Sequence, residues 1–245
     1  MKKNGWMFFL QGFLLFNVLW FFASIFVQSP ALPSPLEVYT NFPKVFEAGI
    51  AMHFLVSFKR LMAGIIISLV LGTIIGLIMG ESQKTDKILN PLIYFTYPIP
   101  KLALLPVIMI LFGLGDGSKV TLIVLITIFP VIVAVKDGVK NIDKELYNIL
   151  QSLGANKMQK LTQITLPAIT AEILTSVKIS IGTALSVLFF AENYGTKFGL
   201  GYYIQDSWMR MDYISMFGGI CILATLGFVL FAALDKTAAH FNRSN

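Results

Sequence analysis

Long apolar runs separated by short polar segments dominate the chain. The runs cover residues 6–27, 54–80, 88–114, 120–135, 168–193 and 213–234. A helix of about 20 apolar residues is long enough to cross the hydrocarbon core of a bilayer. The pattern therefore predicts an all-α membrane protein with six transmembrane helices.

The first apolar run follows a basic start, Met1-Lys2-Lys3-Asn4, which is also typical of a secretory signal peptide. The apolar part of a signal peptide is only about 7–15 residues long. Because this run is longer, we interpret residues 1–29 as the first transmembrane helix.

Residues 30–52 form the second predicted segment, which opens with three closely spaced prolines. Ser34 followed by Pro35 is typical of a helix start, with the serine as N-cap and the proline in the first turn. We expect this amphipathic segment to lie along the outer membrane interface. Residues 53–236 form the core domain, with a polar loop at 136–167, and residues 237–245 form a short tail.

Composition supports the membrane assignment. Of 245 residues, 56% are hydrophobic and only 13% are charged, whereas about 25% of a soluble domain is charged. The mean hydropathy is +0.75. The formal charge of +6 comes from short clusters between the apolar runs, so a basic face for nucleic acid is not predicted.

Signatures of catalysis and of metal binding are missing from the sequence. Cys221, with only His53 and His240, makes no recognisable metal-ligand set. The P-loop, zinc-protease and serine-hydrolase motifs are absent as well. We therefore expect this chain to hold no metal or cofactor and to carry out no chemistry.

Basic residues predict the orientation. With six spans, eleven Lys and Arg residues fall on the side of the termini and four on the other side, or six if Lys59 and Arg60 are counted there. Loops rich in Lys and Arg stay in the cytoplasm. The sequence thus predicts cytoplasmic termini, a cytoplasmic-membrane location and a cytoplasmic loop at residues 136–167.

This loop contains a predicted amphipathic helix. Asp143 is a suitable N-cap, and Gly154 is a suitable residue for a left-handed helix end. The apolar positions follow the helical period, and they are Leu146, Ile149, Leu150 and Leu153. A second short helix is expected from Lys157 to Thr165, with Pro167 starting the next span. The amphipathic helix either docks into a groove on a soluble partner or rests on lipid.

The loop resembles the signature of binding-protein-dependent importer permeases, which reads EAA, three residues, G, nine residues, I-x-L-P. Gly154, Ile164, Leu166 and Pro167 match at the required spacing. The EAA positions fall on Asn148-Ile149-Leu150, so its acidic residue and both alanines are missing. Glu145, one turn earlier, is our candidate for the acidic contact.

Further segments are similar to the same family, mainly its sulfonate, nitrate and taurine branch. They include residues 58–64, 97–106, 111–115 and 199–202, together with Gly72, Gly76 and Gly80. The resemblance implies the type I importer permease bundle, known from methionine importers, with a cytoplasmic coupling helix. It implies as partners a second permease copy, two P-loop ATPase subunits that bind ATP and magnesium, and an extracytoplasmic solute-binding protein. The solute it suggests is a small anion.

Several residues are candidates for the transport path. Prolines in membrane helices free backbone carbonyls, so broken spans tend to line a pathway, and the third run contains four of them. The candidates are Pro98, Pro100, Lys101, Pro106, Glu192 and Asn193. Lys101 either attracts an anionic solute or snorkels to the interface. Glu192 and Asn193 meet solute or binding protein, or are interface residues.

Other assignments remain open at this stage. We assign Lys178 and Arg60 to holding helices together or to anchoring at a boundary. The glycines at positions 72, 76 and 80, with Gly64, either pack helices within one bundle or form a gate or dimer seam. The competing functions are an ion channel and an intramembrane enzyme that would use Lys101 and Glu192 as acid and base.

Overall fold

The computed structural model describes residues 5–244, and the side chains of residue 7 and of residues 9–238. Twelve α-helices occupy the described residues. They are α1 Gly5–Val27, α2 Pro35–Thr40, α3 Phe42–Glu47, α4 Ile50–Glu81, α5 Gln83–Thr96, α6 Leu105–Phe112, α7 Asp116–Lys140, α8 Lys144–Ser152, α9 Lys157–Lys160, α10 Leu166–Glu192, α11 Leu200–Met209 and α12 Tyr213–Ser244. A 3-10 turn, Lys101–Leu104, precedes α6, and a π-helical turn, Leu161–Thr165, joins α9 to α10. The predicted basic start and Asn245 lie outside the described residues.

Among the described residues, five helices are long and apolar enough to cross a membrane, and the number rises to six if a bent pair of helices is counted as one span. The five are α1, α4, α7, α12 and the continuous helix Lys157–Glu192. The bent pair, Gln83–Thr96 and Lys101–Phe112, meets at 85°. Pro98 and Pro100 lie at the break, and neither has the backbone N–H that a continuing helix needs. The predicted irregularity of the third apolar run is confirmed, and its break lies between Thr96 and Lys101.

The chain divides into two compact units. The first comprises residues 5–60 and 188–236, and the second comprises residues 61–187 and 237–244. Helices α4, α10 and α12 each contribute to both, and each unit is described separately below.

In the first unit, the predicted amphipathic segment is two short helices rather than one. Ser34 caps α2 by accepting from Glu37 N, and the Glu37 carboxylate accepts from Ser34 N. These hydrogen bonds lower the pKa of Glu37. The helix stops at Thr40 because Pro43, in the first turn of α3, cannot continue it. Trp20 of α1 donates to the Pro33 carbonyl at 3.0 Å, which holds the start of this segment against the first span.

In the second unit, α4 and α7 pack in a regular register. Every fourth residue along one face of α4 contacts every fourth residue along one face of α7. The pairs are Gly64–Ile123, Ser68–Thr127, Gly72–Val131, Gly76–Val135 and Gly80–Val139. The residue numbers of the contacting positions increase together along α4 and α7, so the two helices run in the same direction. The glycine series therefore packs helices within this unit, which was one of the two predicted roles.

Candidate functional site

Helix α8 begins and ends as its sequence predicts. The Asp143 carboxylate accepts from Glu145 N at 2.9 Å at the start. At the end, Gly154 N donates to Gln151 O and Ala155 N to Leu150 O, at 3.0 and 2.9 Å. This double closure requires a left-handed residue, and Gly154 has a φ of +78°. Hydrogen bonds at both ends thus fix the length of α8.

The two faces of α8 differ in their surroundings. At 100° per residue, Leu146, Ile149 and Leu153 share one face. They are 49%, 57% and 76% exposed. On the opposite face, Tyr147 Oη lies 2.8 Å from Thr165 Oγ1 in the π-helical turn, and Gln151 Oε1 accepts from Lys160 at 3.0 Å. The polar face holds α8 against its own chain, whereas the apolar face points away from it.

The segment after α8 corrects one prediction. The expected separate helix from Lys157 to Thr165 is the start of one 36-residue helix that runs to Glu192. Asn156 and Gln159 cap its first turn reciprocally. Pro167 lacks an N–H and would clash with the carbonyl four residues earlier. The π-helical turn before it, in which Leu166 N donates to Leu161 O, widens the helix at this place and lets it continue.

These contacts show where the predicted coupling residues lie. Glu145 and Asn148 are exposed on α8, and Leu150 is half-buried. Ile164 lies in the π-helical turn, and Leu166 begins α10. The hydroxyl groups of Tyr147 and Thr165 share a hydrogen bond, which joins α8 directly to the base of the long helix.

The bent third span borders a cavity of about 810 Å³ in the second unit. Pro98, at the bend, and Pro130 of α7 both line it. Its polar lining consists of Asn90, Tyr94, Tyr97, Lys136 and Ser176. Lys136 donates to Asn90 Oδ1 at 3.1 Å and pairs with Asp137 at 3.3 Å. An apolar cavity with a few convergent polar groups is typical of a small-molecule site.

The other path candidates of the third span have local roles. The Lys101 ammonium donates to the Tyr97 carbonyl and lies 5.3 and 5.1 Å from the ring centres of Tyr97 and Phe129. It therefore supports Tyr97, which lines the cavity, through a cation–π contact. Pro100 precedes the 3-10 turn, and Pro106 lies in the first turn of α6. The cation in the cavity lining is Lys136, one of the eleven basic residues on the side of the termini.

Glu192 is at the centre of a buried polar cluster in the first unit. Glu192 and Arg60 are 1% and 5% exposed, and their side chains pair at 2.9 Å. The carboxylate also accepts from Ser57 Oγ at 2.8 Å and from Gly201 N at 2.9 Å. Asn193, next to it, is half-buried, and no hydrogen-bond partner of its Oδ1 is found among the described residues.

The same cluster fixes the segment between α10 and α11. Arg60 donates to Phe198 O at 2.8 Å and to Thr196 Oγ1 at 3.1 Å, and Leu200 N donates to Ser57 Oγ at 2.7 Å. Gly199 has a φ of +131°, and a side chain there would overlap the Glu192 carboxylate. The role predicted for Arg60, holding helices together, is confirmed. Its partner was missed because the two residues are 132 positions apart.

Comparison with known proteins decides the family. Residues 68–238, more than half of the chain, match the profile of the binding-protein-dependent transport system inner membrane component. The chain belongs to this family. The permease is therefore a membrane component of a transport system and not an enzyme, which rejects the acid–base hypothesis for Lys101 and Glu192.

Relatives of the permease are similar over most of their length. It is 33% identical to a taurine transport system permease protein of Escherichia coli, over 89% of this chain and 82% of that protein. It is 29% identical to a formylaminopyrimidine transport permease protein of Halalkalibacterium halodurans, over 91% and 90%. It is 30% identical to a Bacillus subtilis protein named for aliphatic sulfonates transport, over 92% and 83%.

The fold of the permease is similar to that of a solved transporter. The inward-facing MetNI methionine ABC transporter aligns with a TM-score of 0.61 and 19% identity, over 79% of this chain and 98% of that chain. At this identity the comparison supports the fold alone, and it agrees with the predicted type I importer permease bundle.

Proposed function

We propose that the permease is the membrane subunit of an ATP-driven importer and that α8 is its coupling helix, docked in a groove on a separate ATPase. The observation that carries the proposal is the exposed apolar face of α8 on a helix whose other face is held to its own chain. Apolar anchors at i, i+3, i+4 and i+7 suit a helix that lies in a groove. In this proposal ATP and magnesium bind to the ATPase, and the permease itself needs no cofactor.

The continuous helix from Lys157 to Glu192 supports a lever mechanism. A displacement of α8 by the ATPase is passed through Tyr147 and Thr165 to the base of this helix. Since the helix continues through the π-helical turn, the displacement reaches the membrane span. In this proposal α8 and both termini are cytoplasmic, two permease copies pair around the path, and a binding protein delivers solute from the other side.

Changing the apolar face of α8 tests the docking. We expect the variant L146S/I149S/L150S/L153S to reduce the amount of co-expressed ATPase recovered with the purified permease at least about tenfold. A loss of ~1.4 kcal/mol in binding free energy already lowers the affinity by a factor of ten. Membrane insertion is unchanged. The control variant L36Q/F46Q alters two exposed apolar residues of α2 and α3 and retains the ATPase.

The alternative role of α8, resting on lipid, predicts a different outcome of this experiment. In that case the serine variant would retain the ATPase as well as the control variant does. Equal recovery from the two variants would contradict the coupling proposal.

We further propose that the solute path includes the 810 Å³ cavity beside the bent span and that the solute is a small anion. The relatives named for taurine and aliphatic sulfonates support an anion. Lys136 in the cavity lining supports it as well, because its 3.3 Å partner Asp137 is 55% exposed and does not line the cavity. A sulfonate would meet the Lys136 ammonium and the hydroxyl groups of Tyr94, Tyr97 and Ser176. The apolar remainder of the lining would exclude bulk water.

Cysteine labelling tests both the path and the solute class. In a Cys221→Ser background, we expect Tyr94→Cys to react with a membrane-impermeant maleimide at a rate that ATP changes at least about threefold, because alternating access opens and closes the cavity. Taurine or an alkanesulfonate, delivered by the binding protein, should slow the reaction. The control Val18→Cys, on the exposed surface of α1, shows neither effect.

Two results of this labelling would contradict the proposals. A Tyr94→Cys rate that ignores ATP removes the cavity from the path. Protection by formylaminopyrimidine alone, with none by sulfonates, shows that the solute is not an anion.

A further inference from the structure

A second cavity, of about 1130 Å³, lies on the polar side of α8 in the second unit. The end of α4, the first turns of α5, the end of α7, α8 and the helix that begins at Lys157 all contribute to its lining. It is thus located where membrane spans end and the coupling loop begins. Neither the proposed solute path nor the apolar docking face uses this cavity.

The lining of this cavity is strongly basic. Five lysines contribute, namely Lys87, Lys140, Lys144, Lys157 and Lys160, against the carboxylates of Glu81 and Asp86. Lys140 and Asp86 neutralise each other in an ion pair of 2.5 Å, and Lys160 is bound to Gln151.

Three of these lysines have no carboxylate of their own. Within the part of the chain whose side chains are described, Lys87, Lys144 and Lys157 form no ion pair or hydrogen bond through their ammonium groups. They are exposed residues of the cavity lining, and they come from three separate elements, α5, α8 and α9. Glu81 alone cannot neutralise them, and mutual repulsion favours the entry of an anion.

The cavity also has an apolar side, which favours an anion that carries an apolar group. Val139, Met158 and Leu161 line it next to the lysines. We propose that the cavity binds an oxyanion, with the phosphate headgroup of an anionic phospholipid as the favoured source and a free phosphate as the other source of the same chemistry. Basic pockets between the ends of membrane helices are suited to lipid headgroups, and the apolar side suits the glycerol and upper acyl chain.

Such an anion would connect the coupling helix to the membrane spans. Contacts with Lys144 of α8 and Lys87 of α5 would join the two elements through one ligand, in addition to the direct contact of Tyr147 with Thr165. This inference does not depend on the ATPase or on the transported solute. It concerns a site that the chain forms by itself.

Lipid retention in native mass spectrometry tests the proposal on the delipidated full chain. We expect phosphatidylglycerol to be retained at least about tenfold more than phosphatidylcholine, and the variant K87Q/K144Q/K157Q to lose this preference. The control variant K44Q/K84Q/K197Q, which removes the same charge from exposed positions outside the cavity, keeps it.

Inorganic phosphate distinguishes the two sources. A rise in unfolding temperature of the wild type with millimolar phosphate, absent in the cavity variant and without a preference for phosphatidylglycerol, assigns the site to a soluble oxyanion. Equal lipid preference and equal phosphate response in the cavity and control variants would overturn the proposal. If the triple cavity variant fails to fold, K157Q, at an exposed position in the first turn of α9, provides the same test with a smaller expected loss.

Discussion

Replacing Glu192 with alanine will lower the free energy of unfolding of the purified permease by about 3–5 kcal/mol, which is the usual cost of removing one partner of a buried ion pair. The substitution leaves Arg60 charged and almost completely buried. It also removes the acceptor of Gly201 N and of Ser57 Oγ. Denaturation of the detergent-solubilised protein measures the effect.

A second ion pair in the same unit provides a matched control. Arg210 and Asp206 pair at the same distance, 2.9 Å, but their side chains are 60% and 40% exposed. Exposed pairs contribute about 0–1 kcal/mol, so Asp206→Ala should be nearly neutral. If Glu192→Ala and Asp206→Ala lower the free energy of unfolding equally, burial does not explain the contribution of the Glu192 ion pair to stability.

A double substitution distinguishes the effect of the buried ion pair on stability from the effect of the Arg60 hydrogen bonds on the segment between α10 and α11. Replacing a buried pair with apolar residues of similar volume is often neutral or stabilising, so Arg60→Met with Glu192→Leu should recover much of the lost stability. It cannot restore the hydrogen bonds from Arg60 to Phe198 and Thr196. Amides of residues 196–201 should therefore exchange hydrogen faster in the double variant than in the wild type. Unchanged exchange would show that the cluster does not fix this segment.

Gly76→Ala is expected to destabilise the permease by about 1–3 kcal/mol, because it overpacks a close helix contact. The added methyl group would lie 2.6 Å from Val135 Cβ and 2.9 Å from the Ile132 carbonyl. The carbonyl belongs to the backbone of α7, so a side-chain rotation cannot relieve the contact. The two helices must move apart, and the Ser68–Thr127 hydrogen bond between them is weakened.

Gly12→Ala is the matched control for this prediction. Apart from the neighbouring backbone of α1 itself, no atom of the described residues lies within 4 Å of a methyl group added at Gly12. Helix propensity favours alanine over glycine by about 1 kcal/mol at both positions, so a difference between the two variants reports tertiary packing. Thermal unfolding in detergent measures it. Equal unfolding temperatures would mean that the α4–α7 contact adapts easily and that the glycine register is not required.

The amino-acid pattern alone was enough to predict an all-helical membrane protein and to locate its apolar helices. Apolar runs of this length predict membrane helices whatever their neighbours are, because unpaired backbone groups are not tolerated in hydrocarbon. Short-range signals were equally reliable. Ser34, Asp143 and Gly154 act within a few residues of their own position, and each capping feature is present in the structure. Four prolines, Pro91, Pro98, Pro100 and Pro106, predicted an irregular third span, and the break lies at Pro98 and Pro100, whereas Pro91 lies inside α5.

Which distant residues come into contact depends on how the helices pack. Glu192 and Lys101 were selected because charges are rare in membrane segments, but each has a partner from a distant part of the chain: Arg60 for Glu192, and the Phe129 ring for Lys101. Lys136 looked like one orientation signal among many, and its place beside a cavity follows from the packing of α5, α7 and α10. Periodicity and capping act over one or two helical turns, whereas a long-range contact depends on how whole helices pack.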